Sequence, residues 1–232
     1  MEWVLFAAII ILCLMFFFSK GQRYKRTSYY KITKNKFSKV QNDKGLFGEY
    51  FTYILLRGFE RQKCRFLFNL YIPKGDDETT EIDMIMLSPK GVFVFEVKNY
   101  SGWIFGSMRN QYWTQVLPMG RGRESNKQKF LNPIRQNASH IKHLKNISEL
   151  RVPVWSIVVF SDEATFKDIL TNESVALVYE SDLKAEIKST LKKSENCLSS
   201  EDINDLYDNL FPYTQVSDAE KQKHIENLSP DI

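Results

Sequence analysis

The chain reads as a mixed α/β protein: one mixed sheet between layers of helices, an α/β/α sandwich, behind an apolar N-terminal segment. Three observations predict this. The apolar residues of "KGLFGEYFTYILLRGF" recur at helical spacing, at Phe47, Phe51, Ile54, Leu55 and Phe59. The stretch "EIDMIMLSPKGVFVFEVKNYSGW", residues 81–103, forms two strand-like runs around a Ser-Pro-Lys-Gly turn. "VPVWSIVVF" (152–160) is apolar without alternation, the pattern of a strand covered on both faces.

Taken in order, the first element is Trp3–Phe18, 16 residues without a charge. As a helix it spans about 24 Å, slightly short of a hydrocarbon core of roughly 30 Å. Met1 and Ser19 can extend it, and Lys20 can snorkel. The positive charges follow the run and no A-x-A-like site is present, so residues 1–19 read as an uncleaved transmembrane anchor rather than a signal peptide. Residues 20–44, read as a juxtamembrane linker, hold nine Lys or Arg against one acid, Asp43. The positive-inside rule then gives a single-pass protein of the cell membrane with its body in the cytoplasm.

The same segment explains the net charge of +4. Only Glu2 and Asp43 of the 28 acids precede residue 45, so the body itself is net negative. The basic stretch suits anionic lipid. Overall charge is therefore no argument for nucleic acid. Cys13, Cys64 and Cys197 are scattered, without the paired spacing of disulfides or zinc, which agrees with a reducing compartment.

Within the body, residues 45–195, the first helix ends near Gly58. "RFLFNLYIP" (65–73) reads as a strand and "KGDDETT" as a polar turn into the hairpin. "GWIFG" and "YWTQV" pair as a smaller hairpin, and "MGRGRESNKQK" (119–129) is a basic loop. Asn132 and Pro133 begin a helix, as cap and first residue, that runs to about Leu150. "SVALVY" (174–179) is a further strand, and Ser181 caps a helix to about Lys193. Residues 196–232 are a polar C-terminal segment that can end in a loose tail.

The main hairpin carries the chemistry. A turn symmetric about Pro89 and Lys90 sets Asp83 opposite Glu96, with Cβ atoms about 5 Å apart. Lys98, two residues on, shares the face of Glu96, while Phe93, Phe95 and Val97 point to the core. Opposed carboxylates repel unless a cation joins them. Two readings stay open. The acids hold a hard divalent metal such as Mg²⁺, with Lys98 beside it to orient an attacking water. Alternatively, Glu96 and Lys98 form an ordinary ion pair on a strand.

Asp83, Glu96-Val97-Lys98 and an upstream helical Glu49 resemble the PD-(D/E)xK nuclease superfamily. More closely, "GEY", "EIDMIMLSPKGVFVFEVKNYSGWIFG" and "NPIRQNASHIKHL" resemble the nuclease-related domain (NERD) family, over about residues 44–160. The resemblance implies a restriction-endonuclease-like α/β/α core and Mg²⁺-dependent (or Mn²⁺-dependent) hydrolysis of nucleic acid, with DNA the expected class. It places Asp83 and Glu96 as metal-binding acids, Lys98 as the catalytic lysine, Glu49 as the helical acid and Gln136 as the Gln of the "NPIxQN" block. Glu49 becomes a third metal ligand or a ligand to bound water. Ile82 stands where the superfamily name has Pro. The rivals are a catalytically silent nucleic-acid-binding or scaffold module on this fold, and a membrane-tethered interaction protein whose acids only pair with lysines.

Other signals are weaker. His140 and His143, three apart on one helix, have no identifiable third ligand and read as exposed. The Gly120–Arg123 loop suits phosphate or plain solvent, and no G-x-x-x-x-G-K-[ST] is present. Trp103, Tyr112 and Trp113 read as packing of the small hairpin rather than a base-stacking platform. No G-x-S-x-G or Cys-His arrangement supports covalent hydrolysis.

Overall fold

The computed structural model describes residue 6 and residues 20–75, 78–118, 125–148, 150–171 and 175–228. The anchor read at Trp3–Phe18 lies outside them apart from Phe6, and so does the Gly120–Arg123 loop. Among the described residues no helix is long and apolar enough to cross a membrane.

The long period-two stretches pair as their turns require. β1 (Arg65–Gly75), β2 (Glu78–Ser88) and β3 (Gly91–Lys98) form an antiparallel meander. β7 (Val154–Phe160) and β9 (Val175–Tyr179) add in parallel, giving the order β1-β2-β3-β7-β9. The register runs from Met84↔Phe95 to Ser88↔Gly91, that of a turn symmetric about Pro89 and Lys90. Gly91 sits there at φ 139°, pressed against the Pro153 carbonyl, where a Cβ has neither the conformation nor the space.

The small hairpin is present, but it belongs to a second sheet, which corrects the expectation of one mixed sheet. β4 (Gly102–Ser107) and β5 (Tyr112–Leu117) are the middle of a second mixed sheet, ordered β6-β5-β4-β8. β6 (Asn126–Leu131) comes from the second half of the stretch read as a basic loop, and β8 (Ala164–Leu170) pairs parallel to β4. Both are edge strands, and their exposed Lys127, Lys129 and Lys167 are typical of protected edges. β6 carries little apolar alternation and β8 interrupts its own at Asp168, where φ is 49°, which is why the sequence pattern passes over them.

Helices cover both faces of the larger sheet. Tyr53 and Leu56 of α3 (Lys44–Leu56) join Leu183 and Ile187 of α5 (Glu180–Lys193) against Phe66, Phe68, Met84, Met86, Phe93 and Phe95. On the other side Leu144 of α4 (Pro133–Ser148), with Ile203 and Leu210 of α6 (Ser200–Leu210), meets Leu67, Leu70, Ile85, Leu87, Val92 and Val94. Both faces of β3 are therefore apolar until its last turn of chain. The expected single core face is corrected accordingly.

Three more expectations change. Residues 20–44 are not a linker: residues 20–25, α1 (Ser28–Thr33) and α2 (Phe37–Asn42) are helical, and Tyr24, Tyr29, Ile32 and Val40 are buried in the first core. Their cations stay outside while alternate residues pack, so charge hid an amphipathic pattern. The buried side of α3 is Gly48, Thr52, Tyr53 and Leu56, whereas Phe47 and Phe51 are exposed. The tail is helical too, as α6 and α7 (Asp218–Leu228), with Ile203, Leu210 and His224 buried.

The N-terminal helices should therefore stabilise the domain. Tyr29, fully buried, touches Phe68 and Tyr50 at ring-centroid distances of 5.0 and 5.4 Å. Tyr29→Ala is expected to cost about 3 kcal/mol and lower the melting temperature by roughly 6–12 °C. A melt unchanged from the parent protein would mean that this segment is merely attached.

Candidate active site

The site forms where two paired strands separate. The β2–β3 ladder stops at Met84↔Phe95, just short of Asp83 and Glu96, while β3 continues beside β7 as far as Lys98↔Phe160. Asp83 Oδ2 accepts the Val97 N–H at 2.7 Å, satisfying a donor that the parted ladder leaves without a carbonyl. At the same level the β1–β2 ribbon turns over. Phe68 and Met84 face the first core, but Leu70 and Ile82 face the second. Between them lie Asp83 and Asn69, whose φ of 50° is the left-handed geometry that Asn tolerates best among residues with a side chain.

Asn69 also ties in the helical acid: its Nδ2 donates to Glu49 Oε2 at 2.8 Å. Glu49 reaches this point because Gly48 lets α3 approach β3 closely, where any side chain would collide with Asn99. Glu96, only 2% exposed, points to the opposite face, toward α4. Lys98 Nζ donates to its Oε1 at 2.7 Å and His140 Nε2 to its Oε2 at 3.0 Å. An ionised carboxylate only accepts, so the His140 proton sits on Nε2, and Thr80 Oγ1 lies 2.7 Å from Nδ1.

α4 is aimed by its first turns. Asn132 Oδ1 accepts the Ile134 N–H at 3.0 Å as a cap, and Asn137 Nδ2 donates to the Val94 carbonyl and to Ser156 Oγ, both at 2.9 Å. These bonds hold Gln136 and His140 over the end of β3. Gln136 Oε1 is buried and has no hydrogen-bond partner among the described residues. Such an atom costs about 1–3 kcal/mol unless something binds it.

Electrostatics divides the acids. Burial raises Asp83 well above the usual carboxylate range, and the charges of Glu96 and Glu49 raise it further against Lys98 and the Val97 N–H. Burial works on Glu96 as well, but Lys98 and His140 overcome it and hold that carboxyl at about 2. Glu49 is pushed up to about 8 by burial, partly opposed by its bond from Asn69. Burial disfavours the Lys98 charge, yet Glu96 and Asp83 keep its pKa above the ordinary lysine value. Lys98 is thus a firm cation and hydrogen-bond donor.

Two cavities meet at these residues. One, of about 520 Å³, is lined by Asp83, Glu96, Lys98, Gln136, His140 and His224 among others. The other, of about 610 Å³, lies on the α3 side and is lined by Glu49, Phe47, Lys44, Asp83 and Lys98. The chain thus gathers Asp83, Glu96, Lys98 and Gln136 around one space, with Glu49 reached only from the second.

The sequence of residues 44–161, half of the chain, matches the profile of the nuclease-related domain family. The chain belongs to that family. An uncharacterized protein of Bacillus anthracis is 28% identical over 186 residues, covering 80% of this chain and 84% of its own length. No solved structure matches the chain. All five residues singled out from the sequence fall inside the matched NERD segment.

The donor set bears on the metal. Among the described residues no three His, Cys, Asp or Glu side chains are grouped closely enough to hold an ion, so the three-acid set is not assembled; Glu49 stays bonded to Asn69. Two carboxylates remain, beside the unpartnered Gln136 oxygen. That suits Mg²⁺, which takes one or two carboxylates and keeps several waters. His140 is the main site residue that spacing alone missed, and its expected exposure is corrected: it is 6% exposed. The available signal was its place with Asn137 and Leu144 on one helical stripe. His224, 4% exposed, arrives from α7 at the far end of the chain, where no pattern points to it.

The raised acids give a pH test on metal-free protein. A carboxyl moved from 4.5 up to about 8 on folding favours the folded state when protonated, so its contribution is lost as pH rises across that window. Glu49→Gln is expected to raise stability at pH 9 by between about 1 and 5 kcal/mol, the upper figure being the whole move from 4.5 to about 8, and to gain nothing at pH 4. Asp83→Asn should likewise be neutral or stabilising at pH 8. Melts showing both variants less stable than the parent at high pH would assign these acids to structural ion pairs.

Proposed function

We propose that the chain is a membrane-anchored, metal-dependent nuclease with a restriction-endonuclease-like core, its body in the cytoplasm, hydrolysing phosphodiester bonds of nucleic acid. The observation that carries this reading is the meeting of Asp83, Glu96 and Lys98 where β2 and β3 part, within a cavity wide enough for a substrate. Membership of the NERD family supports it.

Asp83 and Glu96 would hold Mg²⁺ or Mn²⁺, with Glu49 behind Asp83 as a partner for bound water. The ion supplies Lewis acidity toward a phosphoryl oxygen and makes water a better nucleophile near neutral pH. Lys98 keeps one N–H on Glu96 and has two more to donate to the attacking water or to a phosphoryl oxygen. Being held protonated, it orients and neutralises instead of acting as the base. His140 fixes Glu96 through Oε2. The Gln136 oxygen, lacking a partner among the described residues, can accept a hydrogen bond from the water and so set its direction. DNA is the substrate class first in view. The anchor rests on the charge-free run Trp3–Phe18 and the basic residues after it.

The silent-module reading draws on one observation: both Glu96 oxygens are already paired, with Lys98 and His140. Cleavage decides between the two. The full chain in detergent should cut DNA with Mg²⁺ or Mn²⁺ and stop with EDTA. Lys98→Ala should lower the rate by on the order of 10³-fold, the size of one lost transition-state donor, while Mg²⁺ still raises its melting temperature. A Lys98→Ala protein that cuts as fast as the parent would remove this lysine from the mechanism.

A further inference from the structure

The two cavities are more informative together than apart. A groove open on both sides of its reacting groups lets a strand run through without presenting an end. Here Asp83 and Lys98 belong to the walls of both cavities, one on the α4 side of the larger sheet and one on the α3 side. They form a ridge between two spaces. Each space also reaches solvent past exposed residues: Lys74 and Arg135 rim the first, Lys44 and Phe47 the second. Arg135 at the first mouth, beside a Lys74 paired with Glu78, and Lys44 at the second, which also holds Glu163, give each mouth a cation for a phosphate backbone that continues in both directions.

Phe47 indicates the kind of strand. It is 42% exposed, and its ring lies parallel to that of Phe51, with 7° between planes and 6.1 Å between centroids. Neither ring serves the core, although both sit on a helix whose other side is buried. A flat aromatic face beside a cationic mouth stacks on an unpaired base, whereas a duplex keeps its base faces covered.

Resting on the nuclease reading above, we propose that the two cavities form one open groove for a continuous single strand. The strand enters past Lys74 and Arg135, crosses the Asp83–Lys98 ridge and leaves past Lys44, with a base stacked on Phe47. The bond cut is internal, and no strand end is required. The water oxygen joins phosphorus, the bridging phosphorus–oxygen bond breaks, and the leaving sugar oxygen takes up a proton. The two product ends then lie in opposite mouths.

The test uses the full chain in detergent with Mn²⁺ and one sequence prepared as a closed circular single strand, a linear strand with free ends and a closed duplex circle. The circular single strand should be cut as readily as the linear one, giving full-length linear product first. An intact circle beside linear DNA digested from its ends would overturn the proposal, as would preference for the duplex circle. If nothing is cut, the nuclease reading fails, and binding still judges the groove. In Ca²⁺ the circular and linear single strands should bind alike. Phe47→Ala and Arg135→Ala, at opposite mouths, should each weaken circle binding about fivefold or more. A circle that does not bind, or a loss confined to one mouth, would overturn the groove.

Discussion

Paired strands leave no room between them, so a site within a sheet must begin where pairing ends. Here β2 and β3 stay paired up to Met84↔Phe95 and then part, and the Asp83 carboxylate takes over the Val97 N–H that would otherwise be left unpaired. That single hydrogen bond makes the parting tolerable. It also turns a buried acid toward Glu96, opens space on both sides of the sheet and leaves Lys98 at the rim. The rest of the cleft depends on this separation.

The surrounding residues act to keep the gap from closing. On one side Gly48 brings α3 against Asn99, and Asn69, in its left-handed conformation, holds Glu49. On the other, Asn137 clamps α4 to β3 and β7, which sets His140 onto Glu96. Buried charges require such partners, because removing one leaves the other uncompensated at a cost of several kcal/mol. The partners are unevenly shared. Glu96 is hydrogen-bonded by both Lys98 and His140, whereas Asp83 has one backbone N–H, two neighbouring acids and the charge of Lys98 without a hydrogen bond from it. That imbalance is what the divalent cation proposed above would relieve.

Much of this was legible in the sequence, for identifiable reasons. The symmetric turn around Pro89 and Lys90 gave the strand register, and register gave the Asp83–Glu96 level. The Asn132-Pro133 start gave α4. Legibility failed where apolar content was low or partners were distant in sequence. The edge strand β6 is mostly polar, and β8 breaks its alternation at Asp168, whose φ is 49°. The N-terminal helices hide Tyr24, Tyr29, Ile32 and Val40 among cations. His140 and Thr80 are 60 positions apart, and His224 and Thr79 are 145 apart, separations that local spacing cannot read. The exposure of Phe47 and Phe51 was misjudged because the apolar residues of α3, from Leu46 to Leu56, cover more than one face of a helix.

The central claim is that Asp83 and Glu96 share one cation at the parted strand ends. The most direct measurement is anomalous diffraction from crystals of the full chain, or of a chain beginning at residue 20, soaked in Mn²⁺. The account predicts a single strong peak between the Asp83 and Glu96 carboxylates, with Lys98 Nζ drawn away from Glu96 Oε1, and loss of that peak in Asp83→Asn crystals. Crystals that diffract well and show no peak there, with the Glu96–Lys98 pair unchanged, would contradict it.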